Sequence, residues 1–159
     1  MIRTYMDRKE RIKELKRKNR NCLICKAWKE KGISVSLDDF LDLNETLNIQ
    51  KIIINKLDEM DEHKKSNVNV KDKEQTIKKY KEELKRCISI NEEYIFYIKE
   101  STIYGAVILA GKTILDNIDY IISESELLND SCSIFCCSKN VKIGICVWSG
   151  EYDDRIYVW

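Results

Sequence analysis

Seven cysteines, a single histidine and several adjacent carboxylates are the residues of this chain whose types could do chemistry. Cys22 and Cys25 have the spacing of half a structural zinc site, which needs a second close pair. Adjacent Cys136 and Cys137 are the pair on offer, but neighbours in a strand point to opposite faces. Cys22 and Cys25 also fall inside a helical pattern, so no metal is expected there. His63 stands alone in a polar stretch, and any Ser-His-Asp or Cys-His arrangement would have to use it. It reads as a solvated residue. Gly111-Lys112-Thr113 is like the tail of a Walker A sequence, yet the leading glycine would have to sit where Ala106 stands. The pairs Asp38-Asp39, Glu92-Glu93 and Asp153-Asp154 suit caps, turns and surface charge. No catalytic, cofactor-binding or metal-ligating residue is assigned on these grounds, and the expectation is a binding protein rather than an enzyme.

Two stretches could recognise a partner. The first is basic: Arg8, Lys9, Arg11, Lys13, Lys16, Arg17, Lys18 and Arg20 are dense enough to neutralise several phosphates. Ile12 and Leu15 align with later apolar positions, so one face of this stretch should be packed. The second runs from Val147 to Trp159 and crowds Trp148, Glu151, Tyr152, Asp153, Asp154, Tyr157 and Trp159 into one hairpin. Tyr and Trp dominate binding hot spots, and surrounding acids would speed association with a basic partner. Core packing is the competing account, because alternation sends half of a strand's side chains inward.

Charge changes sign along the chain. Residues 1–31 hold 12 Lys+Arg against 4 Asp+Glu, and residues 32–63 hold 2 against 8. Residues 64–86 hold 9 against 4, and residues 87–159 hold 5 against 11, so a net charge of +1 conceals alternating blocks. Overall charge therefore says little about local binding. With 159 residues, 43% hydrophobic and 35% charged, the chain is one domain long and too apolar to stay disordered. No apolar run approaches a membrane span, and the opening residues contain no secretory core. An odd cysteine count, with four in apolar strand-like segments, suits reduced thiols, so a cytoplasmic protein is expected.

The elements that must position these residues follow from periodicity. Asp7 to Lys31 predicts one long amphipathic helix ended by Gly32. Ser36 before Leu37, Asp38 and Asp39 reads as the N-cap of a second helical segment running to Met60, with a possible break around Asn44 to Asn48. Asp61 to Asp72 reads as an exposed loop, and Glu74 to Cys87 as a third helix. Tyr94–Ile98 and Ile103–Ala110 read as strands, Thr113–Leu128 as a helix, and Ser133–Ser138, Val141–Ser149 and Arg155–Trp159 as strands. The expected fold is α+β, a single domain over 1–159, with a helical half (1–90) packed on an antiparallel sheet of order β-β-α-β-β-β (91–159).

A Lys/Arg-rich leading helix, Ser-Leu-Asp-Asp-Phe-Leu-Asp-Leu opening the next, and a closing Trp-Ser-Gly-Glu-Tyr-Asp-Asp-Arg-Ile-Tyr-Val-Trp resemble the small cytosolic immunity proteins of bacterial polymorphic toxin systems. The resemblance implies an antitoxin that binds a cognate toxin C-terminal domain, commonly a nuclease, and blocks it stoichiometrically. A monomer or one-to-one heterocomplex is expected, with no cofactor and no membrane partner, and with nucleic acid as the less favoured partner. The family shares no catalytic motif. The acids offered as toxin contacts are Asp116, Asp119, Glu124 and Glu126 on the predicted helix, or Glu151, Tyr152, Asp153 and Asp154 in the hairpin turn beside Trp148. The alternative function is a nucleic-acid-binding regulator working through residues 8 to 20.

Overall fold

The computed structural model describes residues 7–62, 67–70, 72–125, 133–149 and 154–159. Helix α1 spans Arg8–Glu30, and Gly32, at φ 78°, supplies the left-handed turn that ends it. Ser36 does cap a turn, with its N–H donating to Asp39 Oδ2 at 2.7 Å, but that turn is a single 3-10 turn over Leu37–Asp39. Phe40 then extends to bridge Val107. Helix α2, Leu43–Glu62, starts afresh under Asp42, whose carboxylate accepts from Glu45 N at 2.8 Å. The break expected at Asn44–Asn48 therefore falls at 40–42, where the chain leaves the helix to reach the sheet.

The stretch after α2 also departs from the expected loop. Asn67–Val70 form strand β1, antiparallel to the last strand, while His63 lies outside the described residues. Helix α3, Lys73–Cys87, begins at Asp72, whose side chain accepts from Glu74 N at 3.2 Å. Strand β2 is Glu93–Phe96 and β3 is Val107–Ala110, with a short helical turn, α4 (Ser101–Tyr104), between them. Ile103 and Tyr104, expected in a strand, belong to that turn. The following helix is split in two, α5 (Gly111–Asp116) and α6 (Ile118–Ser123). At the split Asn117 donates its Nδ2 to Thr113 O at 3.0 Å. Strands β4 (Ser133–Ser138), β5 (Gly144–Ser149) and β6 (Asp154–Val158) complete the fold.

All strand pairs are antiparallel, in the order β1-β6-β5-β4-β2-β3. The fold is α+β, as the pattern of elements required, with five strands from the C-terminal half and β1 contributed by the helical half. Strand alternation sorts the core into two layers. One sheet face carries Tyr94, Phe96, Val107, Leu109, Cys136, Ile145, Val147 and Ile156, packed against Trp28 of α1, Tyr80 and Leu84 of α3 and Ile114, Ile118 and Ile121 of α5 and α6. The other carries Ile95, Tyr97, Phe135, Cys137, Cys146 and Tyr157 under Ile53, Leu57 and Met60 of α2. Each such fully buried large side chain contributes about 1.5–3 kcal/mol.

Candidate protein-binding surface

The β5–β6 hairpin sets two residue pairs side by side, Trp148 opposite Arg155 and Ser149 opposite Asp154. Alternation turns the first pair towards the α2 face and the second towards the α3 face. On the α2 face, Asp61 near the end of that helix accepts from Tyr157 OH at 3.0 Å and lies 4.0 Å from Arg155 Nη1. The helix cover stops there. Trp148, two residues beyond the fully buried Cys146 on the same face, is 41% exposed.

Asp154 faces the other way and is occupied. Its Oδ2 accepts from Thr76 Oγ1 at 2.9 Å, and its Oδ1 accepts from Ser149 Oγ. Thr76 is buried in the first turns of α3, and its single hydroxyl proton is shared with Asp72 O at 3.0 Å. Half-buried Asp154 thus straps α3 to β6, which a free acidic contact would not do. Trp159 is likewise built in. Its ring lies over Gly144, where an added Cβ would come within 2.0 Å of it, and its Nε1 donates to Val141 O at 3.0 Å. Tyr157 is buried. Of the hairpin aromatics within the described residues, Trp148 is the one that offers its ring to solvent.

The helix acids sit on the opposite side of the sheet from Trp148. Asp116 pairs with Lys112 one turn earlier at 2.7 Å. Asp119 is held by Lys81 of α3, whose hydrogen bond and charge lower its pKa below the usual aspartate value. Glu124 is half-buried. Burial first, and then the Glu124 carboxylate, push the Tyr120 hydroxyl up. Glu126, Glu151, Tyr152 and Asp153 lie outside the described residues. The nine proposed contact residues therefore do not form one patch: Asp116 and Asp119 flank one face, Trp148 the other, and Asp154 is internal.

Glu124 opens instead onto a cleft of about 420 Å³ between α1 and the segment 98–104, lined also by Lys16, Arg20, Leu23, Glu100 and Tyr104. Arg20 spans it, donating to Asn21 Oδ1 at 2.9 Å and to Lys99 O, with its guanidinium 5.5 Å from the Tyr104 ring. Burial pushes its pKa down, opposed by the Glu100 charge. Glu100 holds φ 64°, a left-handed conformation uncommon for a side-chain-bearing residue. The sequence groups Arg20 with the basic stretch that could neutralise phosphates, whereas the fold ties it to the 98–104 segment. The available signal was Asn21, a polar residue on what is the packed side of α1, 1% exposed and donating to Tyr104 O at 3.4 Å.

Cys136 and Cys137 face the two separate cores, so neither pairs with the other to complete a site with Cys22 and Cys25 on α1. Among the described residues no group of three His, Cys, Asp or Glu side chains could hold a metal ion.

A family model described as YxiF protein matches residues 24–159. The chain belongs to the YxiF family. Neither the curated proteins nor the solved structures contain a match to this YxiF chain. The YxiF match takes in the whole sheet, the hairpin and both cores, and it begins at Ile24, part-way along α1.

Proposed function

We propose that this chain is an immunity protein, a cytoplasmic, non-enzymatic antitoxin that neutralises a cognate toxin domain, most fittingly a nuclease, through a one-to-one protein complex. Family membership and the resemblance carried by the closing hairpin sequence support this reading. The structural observation that carries it is Trp148, a large aromatic ring 41% exposed on the sheet face that packs under α2. Such a ring is the residue type that anchors hot spots. Glu151 and Asp153 follow it closely in sequence, a composition suited to a cationic nuclease groove. Asp116 and Asp119 belong to a different face and would contribute to long-range attraction more than to direct contact.

The test is capture from a nuclease-treated lysate of the native cell at moderate salt, followed by reconstitution with the recombinant captured protein. A one-to-one complex that blocks the partner's activity and is weakened at least about tenfold by Trp148→Ala, with stability unchanged, is the expected result. Full inhibition by Trp148→Ala would remove the hairpin from the interface. Retention of nucleic acid alone, lost on raising salt, would remove the immunity reading altogether.

A further inference from the structure

Helix α1 has a second apolar side that the fold does not use. From Arg8 to Lys16 every residue is exposed except half-buried Glu14. The helix is anchored further on, where Arg17 Nη1 donates to Leu41 O at 3.4 Å and Asn21 and Trp28 are buried. At 1.5 Å per residue, the first nine residues overhang the body by about 13 Å. Pointing away from Asn21 and Trp28, Ile12, Leu15 and Leu23 are 44%, 67% and 59% exposed and align at helical spacing, Leu23 also bordering the cleft that Arg20 spans. The charges on that side are Arg8, Lys9, Lys16 and Lys26, with Glu30 at its far end, while Glu10 and Glu14 fall on the other side.

We propose that the outward face of α1 is a peripheral docking site for an anionic bilayer surface, with Ile12, Leu15 and Leu23 entering the headgroup boundary and the flanking cations meeting lipid phosphates. Charge complementarity selects an anionic occupant, and the aliphatic stripe selects one that also offers hydrocarbon. Nucleic acid would satisfy the cations and leave three aliphatic side chains in water. A second copy of this helix would set like charge against like, since α1 carries ten cations and three carboxylates. A protein interface of standard size needs about 800 Å² per partner and aromatic or pocketed anchors. A convex, purely aliphatic stripe one helix wide supplies neither, whereas a bilayer demands no matching shape. Lying on a membrane also differs from crossing one: among the described residues no helix is long and apolar enough to span. The expectation of no membrane partner came from that criterion alone. The overhang precedes the family-matched segment and lies across the sheet from Trp148, so this inference stands or falls apart from toxin binding.

The test floats the full chain with vesicles of phosphatidylglycerol mixed with phosphatidylcholine, and with phosphatidylcholine alone. The chain should float with the anionic vesicles only. Ile12→Ser/Leu15→Ser, at exposed positions, should lower the bound fraction about tenfold with the circular dichroism spectrum unchanged. Lys9→Glu/Lys16→Glu should do the same, and Trp148→Ala should float like the wild type. Absence of flotation at low salt would overturn the proposal. So would equal flotation by the serine variant, which would mean charge adsorption alone. Retention of duplex DNA, or of an acidic protein through Ile12 and Leu15, in place of vesicle binding would overturn it in favour of that partner.

Discussion

Asp61 of α2 and Asp154 of β6 make their bonds on opposite faces of the same strand, and each ties a helix to it. Asp154 accepts from buried Thr76, so Asp154→Ala leaves a buried hydroxyl with one partner fewer and should cost about 1–3 kcal/mol in urea unfolding. Trp148→Ala, a few residues away, should cost less than about 0.5 kcal/mol because the ring is not core. Comparing the two separates a strap from a contact residue, which the sequence could not do, since both lie in one aromatic and acidic run. Tyr80 predicts the opposite sign. Its hydroxyl is fully buried with no hydrogen-bond partner among the described residues, so Tyr80→Phe should leave stability unchanged or raise it by about 1 kcal/mol. The thiols divide in the same way. Burial holds Cys136 and Cys146 well above the ordinary range and pushes Cys137 up to about 12, so mass spectrometry should find these three spared by iodoacetamide while half-buried Cys22 reacts. Lys81 lowers the pKa of Asp119, so the pair stabilises the fold above the ordinary aspartate range and ceases to do so as pH falls through the depressed value. Lys81→Gln should therefore be less stable than the wild type at neutral pH and indistinguishable from it in strong acid, checked by thermal unfolding across pH.

The elements that periodicity located correctly are those whose pattern has one dominant reading: α1, α3, and β4 to β6. Which side of α1 packs was not legible in the same way. Ile12, Leu15 and Leu23 repeat as a buried face would, yet Ile24, Cys25 and Trp28 make the core contacts. A spacing rule finds a stripe, and only the partner element decides whether that stripe is covered. Strand β1 shows a complementary failure. Asn67-Val68-Asn69-Val70 alternates at period two, but four residues amid polar neighbours carry little intrinsic strand preference, and pairing with β6 far along the chain makes them a strand. Gly105 shows what local sequence conceals about close approach. At φ 103° it lets Leu41 N–H reach Ala106 O at 2.9 Å, and a Cβ there would lie 2.2 Å from Leu41 O. Gly105→Ala should unfasten the 40–42 crossing from β3 and cost about 2–4 kcal/mol, read as a lower urea midpoint.

At the scale of the molecule, opposite charge blocks have different fates. The acids of α5 and α6 find cations close by, in Lys112 and Lys81, while the leading basic block stays largely in water on the overhang of α1. The halves do not simply neutralise each other across one interface, as their signs alone invited. Along 8–16 Glu14 alone is as much as half-buried, so Ile12→Ser/Leu15→Ser should leave the melting temperature within about 4 °C of the wild type's. The α+β class was legible because strands and helices cluster along the chain, but the sheet's order was not, for β6 sits between β5 and a strand from the other half. That seat governs how the protein assembles. The last of these six strands in chain order is an interior one, so before it pairs β5 presents a bare edge, β1 has no neighbour in the sheet, and Asp61 and Thr76 have no strand to grip. Helices α1 and α3 can form during synthesis, but the sheet must close in a single late step spanning nearly the whole sequence, which favours slow folding and a dependence on chaperones while the edge is open.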